Sequence, residues 1–326
     1  IGFPTGDYLV TSQILVSRDG VKLRGAGSRA TQITFTPTGT ASLFKFQHAT
    51  AATQLVQGEI SGVRLFGGET THTKTAIDAV DVNLFLVEDV AIIGTGGRWR
   101  GGSNSVGVRT RGRDYLTFRN VSNVADIPWR ISLNPNNNIT LDHTNFNNIY
   151  NIASGNPHWL IDTGCELSNV TWDGYQSWVA GTHGVYWVDT TSTGISYNIS
   201  FKNVRLENGS DVNSWAFYID KSTAASIYLL QLENIFFDAR KGVYLRNAFS
   251  TAINQSFFFS STNVALDIDS TVQEIEARDC FWQTGSTANI SGQRLVYATP
   301  KFPSTGALPP SFRYTNSANS VSLPFA

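Results

Sequence analysis

Leu167-Ser-Asn-Val-Thr-Trp172 and Phe201-Lys-Asn-Val-Arg-Leu206 share one form: apolar, polar, small amide, then apolar, variable, apolar. The form returns at 60–65, 87–92, 118–123, 141–146, 232–237, 253–258 and 277–282. With the fourth residue of each as anchor, the spacings are 27, 31, 23, 26, 34, 31, 21 and 24 residues. A self-similar period of that size marks a solenoid or an array. The third position explains the geometry. It is Gly62, Asp89, Asn120, His143, Asn169, Asn203, Asn234, Gln255 and Asp279. Seven of these nine are Gly, Asn or Asp, the residues that enter left-handed backbone space at least cost. One such residue bends a strand, so that apolar residues three apart both face inward, where a straight strand would put them on opposite sides.

A second strand class follows each loop, as in Gly184-Val-Tyr-Trp-Val-Asp189, Trp215-Ala-Phe-Tyr-Ile-Asp220 and Gly242-Val-Tyr-Leu-Arg246. Two or three short strands per turn predict an all-β, single-stranded right-handed parallel β-helix of about ten rungs over 1–299. Residues 300–326, rich in Pro, Ser and Asn, are expected to form an irregular tail packed on the coil or at a trimer interface. A sandwich or propeller fits less well, because sandwich strands recur every ~8–12 residues and propeller blades repeat more evenly. No helical i, i+3, i+4, i+7 pattern is sustained.

The 326 residues carry 41% hydrophobic and only 15% charged side chains, against ~25% charged in ordinary soluble chains. The net charge of −1 argues against a nucleic-acid partner, which needs a basic face. No apolar run approaches a membrane span, so no membrane insertion is expected. The chain starts at Ile1 and has no Met, which reads as a trimmed or processed fragment. Two cysteines exclude a disulfide scaffold and a CxxC metal site, and neither a metal nor a cofactor is expected. Four rungs separate Cys165 from Cys280, about 19 Å, so both are expected to be free thiols.

The run Gly20-Val-Lys-Leu-Arg-Gly-Ala-Gly27, followed by Ser-Arg-Ala-Thr-Gln-Ile33, resembles the first turns of the pectate-lyase-like β-helix superfamily, which includes bacteriophage tailspikes and capsule or O-antigen depolymerases. The nine repeats extend the likeness over roughly 10–295. The resemblance implies hydrolysis or β-elimination of a bacterial polysaccharide on the outer face of the coil. For the phage members it also implies a homotrimer and a place on the virion tail, outside the cell. Polygalacturonase motifs are missing apart from Thr182-His-Gly184, as are the arginine and calcium-site patterns of pectate lyases. The tailspike branch is therefore favoured. A non-catalytic polysaccharide-binding adhesin and a lyase or epimerase of the same fold are the alternatives.

Aligning the second strand class on its last apolar residue gives a charged column of Asp78, Arg109, Arg130, Asp189, Asp220, Arg246 and Asp269. If Asp189 and Asp220 both point outward, their carboxylates lie within about 5 Å on neighbouring rungs. One would then stay protonated beside an ionised partner, the division that glycoside hydrolysis requires. Arg246 would hold an acidic sugar or orient a carboxylate. Glu207 is a third catalytic candidate, and Asp173 and His183 are candidate substrate contacts. Trp159, Trp178, Trp187 and Trp215 surround the longest loops and are expected to stack on sugar rings. One residue beyond each anchor, the outward column ends in Phe236, Phe257 and Phe281, a patch expected to be covered by the tail or by a second chain.

Overall fold

The computed structural model describes residues 1–50, 53–102, 104–136, 139–153, 156–178, 182–189, 194–207, 213–282, 287–290, 295–299, 312–315 and 320–322. The chain is a parallel β-helix. The right-handed coil expected from the sequence is the hand that connections between parallel strands of one sheet nearly always take. Among the described residues, strands of successive turns pair in parallel and in register, apart from single shifts near Ile139, Ala239, Val264 and Ile275. Among the described residues one pair is antiparallel, Phe312–Thr315 with Ser320–Ser322. Phe312–Thr315 also adds in parallel to Thr287–Ile290, so this part of the C-terminal segment continues the coil.

All nine third-position residues have positive φ, from 45° at His143 to 62° at Gly62. They occupy two bends per turn rather than one. Gly62, Asp89, Asn120, Asn203, Asn234, Gln255 and Asp279 line one bend, completed by Asn148 (φ 50°) and Gly174 (φ 68°). His143 and Asn169 line a second bend with Leu84, Tyr115, Asn198, Leu229 and Ser250. The anchor Val121 accordingly stacks on Ile149 and not on Thr144. The sequence repeats at 141–146 and 167–172 sit one bend early, because Ile139–Ile152 and Glu166–Trp178 turn at both bends within a single strand.

Amides knit the bends together. Asn148 Nδ2 donates to Asn120 Oδ1 at 2.7 Å, Asn234 Nδ2 to Asn203 Oδ1 at 2.7 Å, and Asn198 Nδ2 to Asn169 Oδ1 at 2.8 Å. Gly174 has no side chain to extend this ladder. Asp173 takes its place and accepts from Asn203 Nδ2 at 2.7 Å.

Inside, like residues stack rung on rung. Phe118, Phe146, Trp172 and Phe201 form a pile with ring centroids 4.9, 5.0 and 4.2 Å apart. Trp129 and Trp159 stack at 4.7 Å. Offset aromatic pairs of this kind contribute about 0.5–1.5 kcal/mol each beyond the area they bury. Cys165 and Cys280 are both free and buried, and burial pushes both thiols up to about 12.

The second strand class forms a parallel sheet of its own, the front sheet. It comprises Lys74–Val80, Val106–Arg111, Ile127–Ile131, Trp159–Ile161, His183–Asp189 and Trp215–Lys221. The C-terminal parts of the long strands Ile227–Arg246 and Phe257–Ile268 continue it.

Candidate functional site

Alternation along the front strands sends every second side chain outward. Val185, Trp187, Phe217, Ile219, Val243 and Leu245 fill the core, which leaves Tyr186, Tyr218 and Tyr244 on the outside. The three rings form a ladder, with Tyr186 and Tyr218 at 5.5 Å and 11° and Tyr218 and Tyr244 at 4.7 Å and 12°. His183 extends it, stacked on Tyr186 at 4.9 Å. Its Nδ1 accepts the Trp215 backbone N–H at 3.2 Å. Trp215 borders the ladder, 5.7 Å from Tyr244, with the Lys241 ammonium 5.1 Å from the tryptophan ring centre.

The tyrosine file continues in register into Asp267. Asp220 and Arg246 pair on the neighbouring outward file, with Arg246 Nη1 donating to Asp220 Oδ1 at 3.3 Å. Asp269 follows on the next rung, where its N–H donates to the Leu245 carbonyl. Burial, and then the Asp269 charge, push the Asp267 carboxyl above the usual carboxylate range, while Lys241 pulls the other way. Burial and the Asp220 charge likewise raise the Tyr218 and Tyr244 hydroxyls. The result is a half-buried aromatic strip on the outward side of the sheet, flanked by Asp220 and Asp269 and ending in Asp267, whose carboxyl is biased toward its protonated form.

Of the expected site residues, Asp220, Arg246 and His183 meet here, while Trp215, expected to stack on sugar, is buried beside them. The Asp189–Asp220 pair does not form. Asp189 is in register with Lys221, and Asp220 with Val188. The reason is that Val188, the last apolar residue of its strand, points outward, which turns Asp189 in. Asp189 and Lys221 are both fully buried, joined at 2.9 Å, with the ammonium 4.5 Å from the Trp187 ring centre and the Gly164 N–H donated to the carboxylate at 3.0 Å. Trp159 and Trp187 are core residues and present no ring to the surface. Glu207 is buried on a bend-side sheet, paired with Arg205. Asp173 belongs to the amide ladder. The Trp178 side chain lies outside the described residues.

Tyr186, Tyr218, Tyr244 and Asp267 escaped the sequence reading. Their signal is the triplet apolar–x–apolar in 185–187, 217–219, 243–245 and 266–268, which alignment on the last apolar residue conceals. On the bend side, Phe236 and Phe257 do stack in register, with Phe257 exposed and the Arg205 guanidinium 5.2 Å from the Phe236 ring centre. The Phe281 side chain lies outside the described residues. Tyr150 and Gln176 hold the rungs of that file between Ser122 and Arg205.

Among the described residues, no helix is long and apolar enough to cross a membrane, and no group of three or more His, Cys, Asp or Glu could hold a metal ion.

Neither a protein-family model nor a curated protein sequence matches the chain. Solved structures do. Dettilon tailspike protein (gp208) superposes with a TM-score of 0.60 at 10% identity, over 96% of this chain and 61% of the tailspike. This chain thus spans about three fifths of that protein. Endopolygalacturonase I from Stereum purpureum, solved with two galacturonates, gives 0.51 at 12% identity, over 92% of this chain and 94% of the enzyme. The A-module of Azotobacter vinelandii mannuronan C-5 epimerase AlgE4 gives 0.50 at 12%, over 92% and 90%. At these identities the likeness is one of fold: the chain shares its parallel β-helix with tailspike, polygalacturonase and epimerase structures.

Proposed function

We propose that the front sheet binds a bacterial surface polysaccharide, and that the protein is a tailspike-like depolymerase acting there. The observation that carries the reading is the outward-facing, half-buried Tyr186–Tyr218–Tyr244 ladder that continues in register into Asp267, with Asp220 and Asp269 beside it. Aromatic faces bury the C–H faces of sugar rings at low entropic cost, and a ladder along the coil axis suits a linear polymer. Asp267, held toward its neutral form, is the general acid. Asp269 lies just past the end of the same strand, where its Oδ1 accepts from the Thr271 N–H and hydroxyl at 2.9 and 2.8 Å, and serves as the ionised partner. Asp220, oriented by Arg246, borders the same strip. Tailspike, polygalacturonase and epimerase structures on this fold support the polysaccharide class.

Incubation with a panel of capsules and O-antigens, followed by reducing-end release, tests the reading. Cleavage that Asp267→Asn abolishes while binding persists supports it. Cleavage unaffected by Asp267→Asn and Asp269→Asn overturns the catalytic assignment. A rise in absorbance from unsaturated uronate would assign the lyase alternative. Binding without cleavage is favoured as the second reading by one observation, the burial of Asp189 away from Asp220. A homotrimer on a virion tail belongs to the same proposal. The exposed Phe257 and the Arg205-capped Phe236 are its contact, and solution mass by light scattering tests it.

A further inference from the structure

The tyrosine file does not end at Tyr186. Toward the N-terminus the same outward file reads Leu160, Arg130, Arg109, Asp78 and Lys45. A cavity of about 260 Å³ opens on these rungs, lined by Lys45, Asp78, Arg109 and Arg130 together with hydroxyl and amide side chains such as Ser42 and Thr75. No aromatic residue lines it. At slightly below the ~300–1,000 Å³ of drug-sized pockets, it suits one sugar unit and not an oligosaccharide.

Its charge is unbalanced. Asp78 is buried, and both its oxygens are taken: Arg109 Nε and Nη2 donate at 2.9 and 2.6 Å, and Arg111 Nη2 at 3.2 and 2.9 Å. Two guanidiniums therefore answer one carboxylate. Arg130 donates its Nε to Asp162 at 3.1 and 3.0 Å, a side-on contact that uses one of its three nitrogens. Among the described residues, Lys45 makes no ion pair. Lys45, Arg109, Arg111 and Arg130 thus stand against Asp78 and Asp162, an excess of two positive charges at a polar cavity.

We infer that this cavity is a subsite for an anionic sugar unit, one bearing a carboxylate, of the polymer whose neighbouring rings lie on the tyrosine ladder. The inference rests on the polysaccharide reading above and adds the substrate's charge. Guanidinium and ammonium groups make charge-assisted hydrogen bonds to carboxylates, roughly twice as strong as neutral ones, while the hydroxyl lining suits the sugar's own hydroxyls. Arg109 lies three rungs from Tyr186, about 14 Å along the axis, so one short oligosaccharide spans both. The front sheet then grades from cationic through aromatic to acidic, which fixes the direction in which an acidic polymer lies.

The test measures binding of the full chain to an array of acidic and neutral bacterial polysaccharides. Every acidic polymer that binds is measured again after chemical reduction of its carboxyls to alcohols. The expected result is at least a tenfold loss on reduction, shrinking as NaCl is raised. In Lys45→Gln the ratio of native to reduced affinity collapses toward one. In Tyr218→Ala both forms weaken together and the ratio stays as in the wild type. Preference for sulfate-bearing over carboxylate-bearing polymers would keep the anion subsite and name sulfate as its occupant. Binding that is equal before and after reduction, or confined to neutral polymers, overturns the subsite and leaves the polysaccharide reading standing. Binding to no polymer on the array overturns both.

Discussion

Asn203 and Asn234 each hold a left-handed backbone and pass a hydrogen bond to the rung before. Left-handed conformation costs an ordinary L-residue about 1–2 kcal/mol. Asn203→Ala is therefore expected to destabilise by about 1–2 kcal/mol in denaturant titration, and Asn203→Gly by distinctly less, because glycine removes the strain and loses only the ladder bond. His158 is fully buried, with neither ring nitrogen hydrogen-bonded among the described residues, and burial holds its pKa down to about 3. The unfolded chain takes up that proton near pH 6.5, so between pH 6.5 and 3 the unfolded state binds more protons. Stability then falls as pH drops through that window, by up to about 1.4 kcal/mol per pH unit. In His158→Leu this part of the slope is expected to vanish from the pH dependence of Tm. The buried Asp189–Lys221 pair sets a third expectation. Removing one partner strands the other charge, so Lys221→Met should cost about 3–5 kcal/mol of stability. The double variant Asp189→Leu/Lys221→Met should recover most of that loss in the same thermal measurement.

At the scale of the element, the bend was legible because it constrains residue type: seven of nine positions are Gly, Asn or Asp, and all nine adopt positive φ. That the turn has two such bends was not legible, since Leu84, Tyr115 and Leu229 take the left-handed conformation without any favourable residue type. The front strands misled for a related reason. The strand 183–189 carries Val188 outward and Asp189 inward, so counting from its last apolar residue shifts the register by one and exchanges the faces. The charged column consequently held for Asp78, Arg109 and Arg130, and again for Asp220 and Arg246, but as two files and not one. The tryptophans were misplaced because large aromatic rings serve a solenoid core as readily as a surface, and Trp129 and Trp159 stack inside. On the outer face the half-buried tyrosine ladder makes the testable difference. Tyr218→Ala, which removes its central ring, is expected to weaken polysaccharide binding about tenfold with little change in Tm, since the ring stands outside the core.

For the molecule as a whole, the coil converts sequence period into files of side chains about 4.8 Å apart, and the front sheet uses them as a track. Its acidic end governs the pH response. The raised Asp267 carboxyl must be protonated to act as an acid, so cleavage should decline as pH climbs past its pKa, above the ordinary carboxylate range. Rate profiles of the wild type against Asp269→Asn check this: without the Asp269 charge, the Asp267 carboxyl should titrate lower and the alkaline limb should move to lower pH. The central claim, that this track is where polymer lies, is tested most directly by a crystal structure with an oligosaccharide cut from a polysaccharide the protein binds. Sugar rings resting on Tyr186, Tyr218 and Tyr244, with the chain running between Arg130 and Asp267, are the predicted result. Sugar seated on the bend side, over Phe236 and Phe257, with the tyrosine ladder bare, would contradict it.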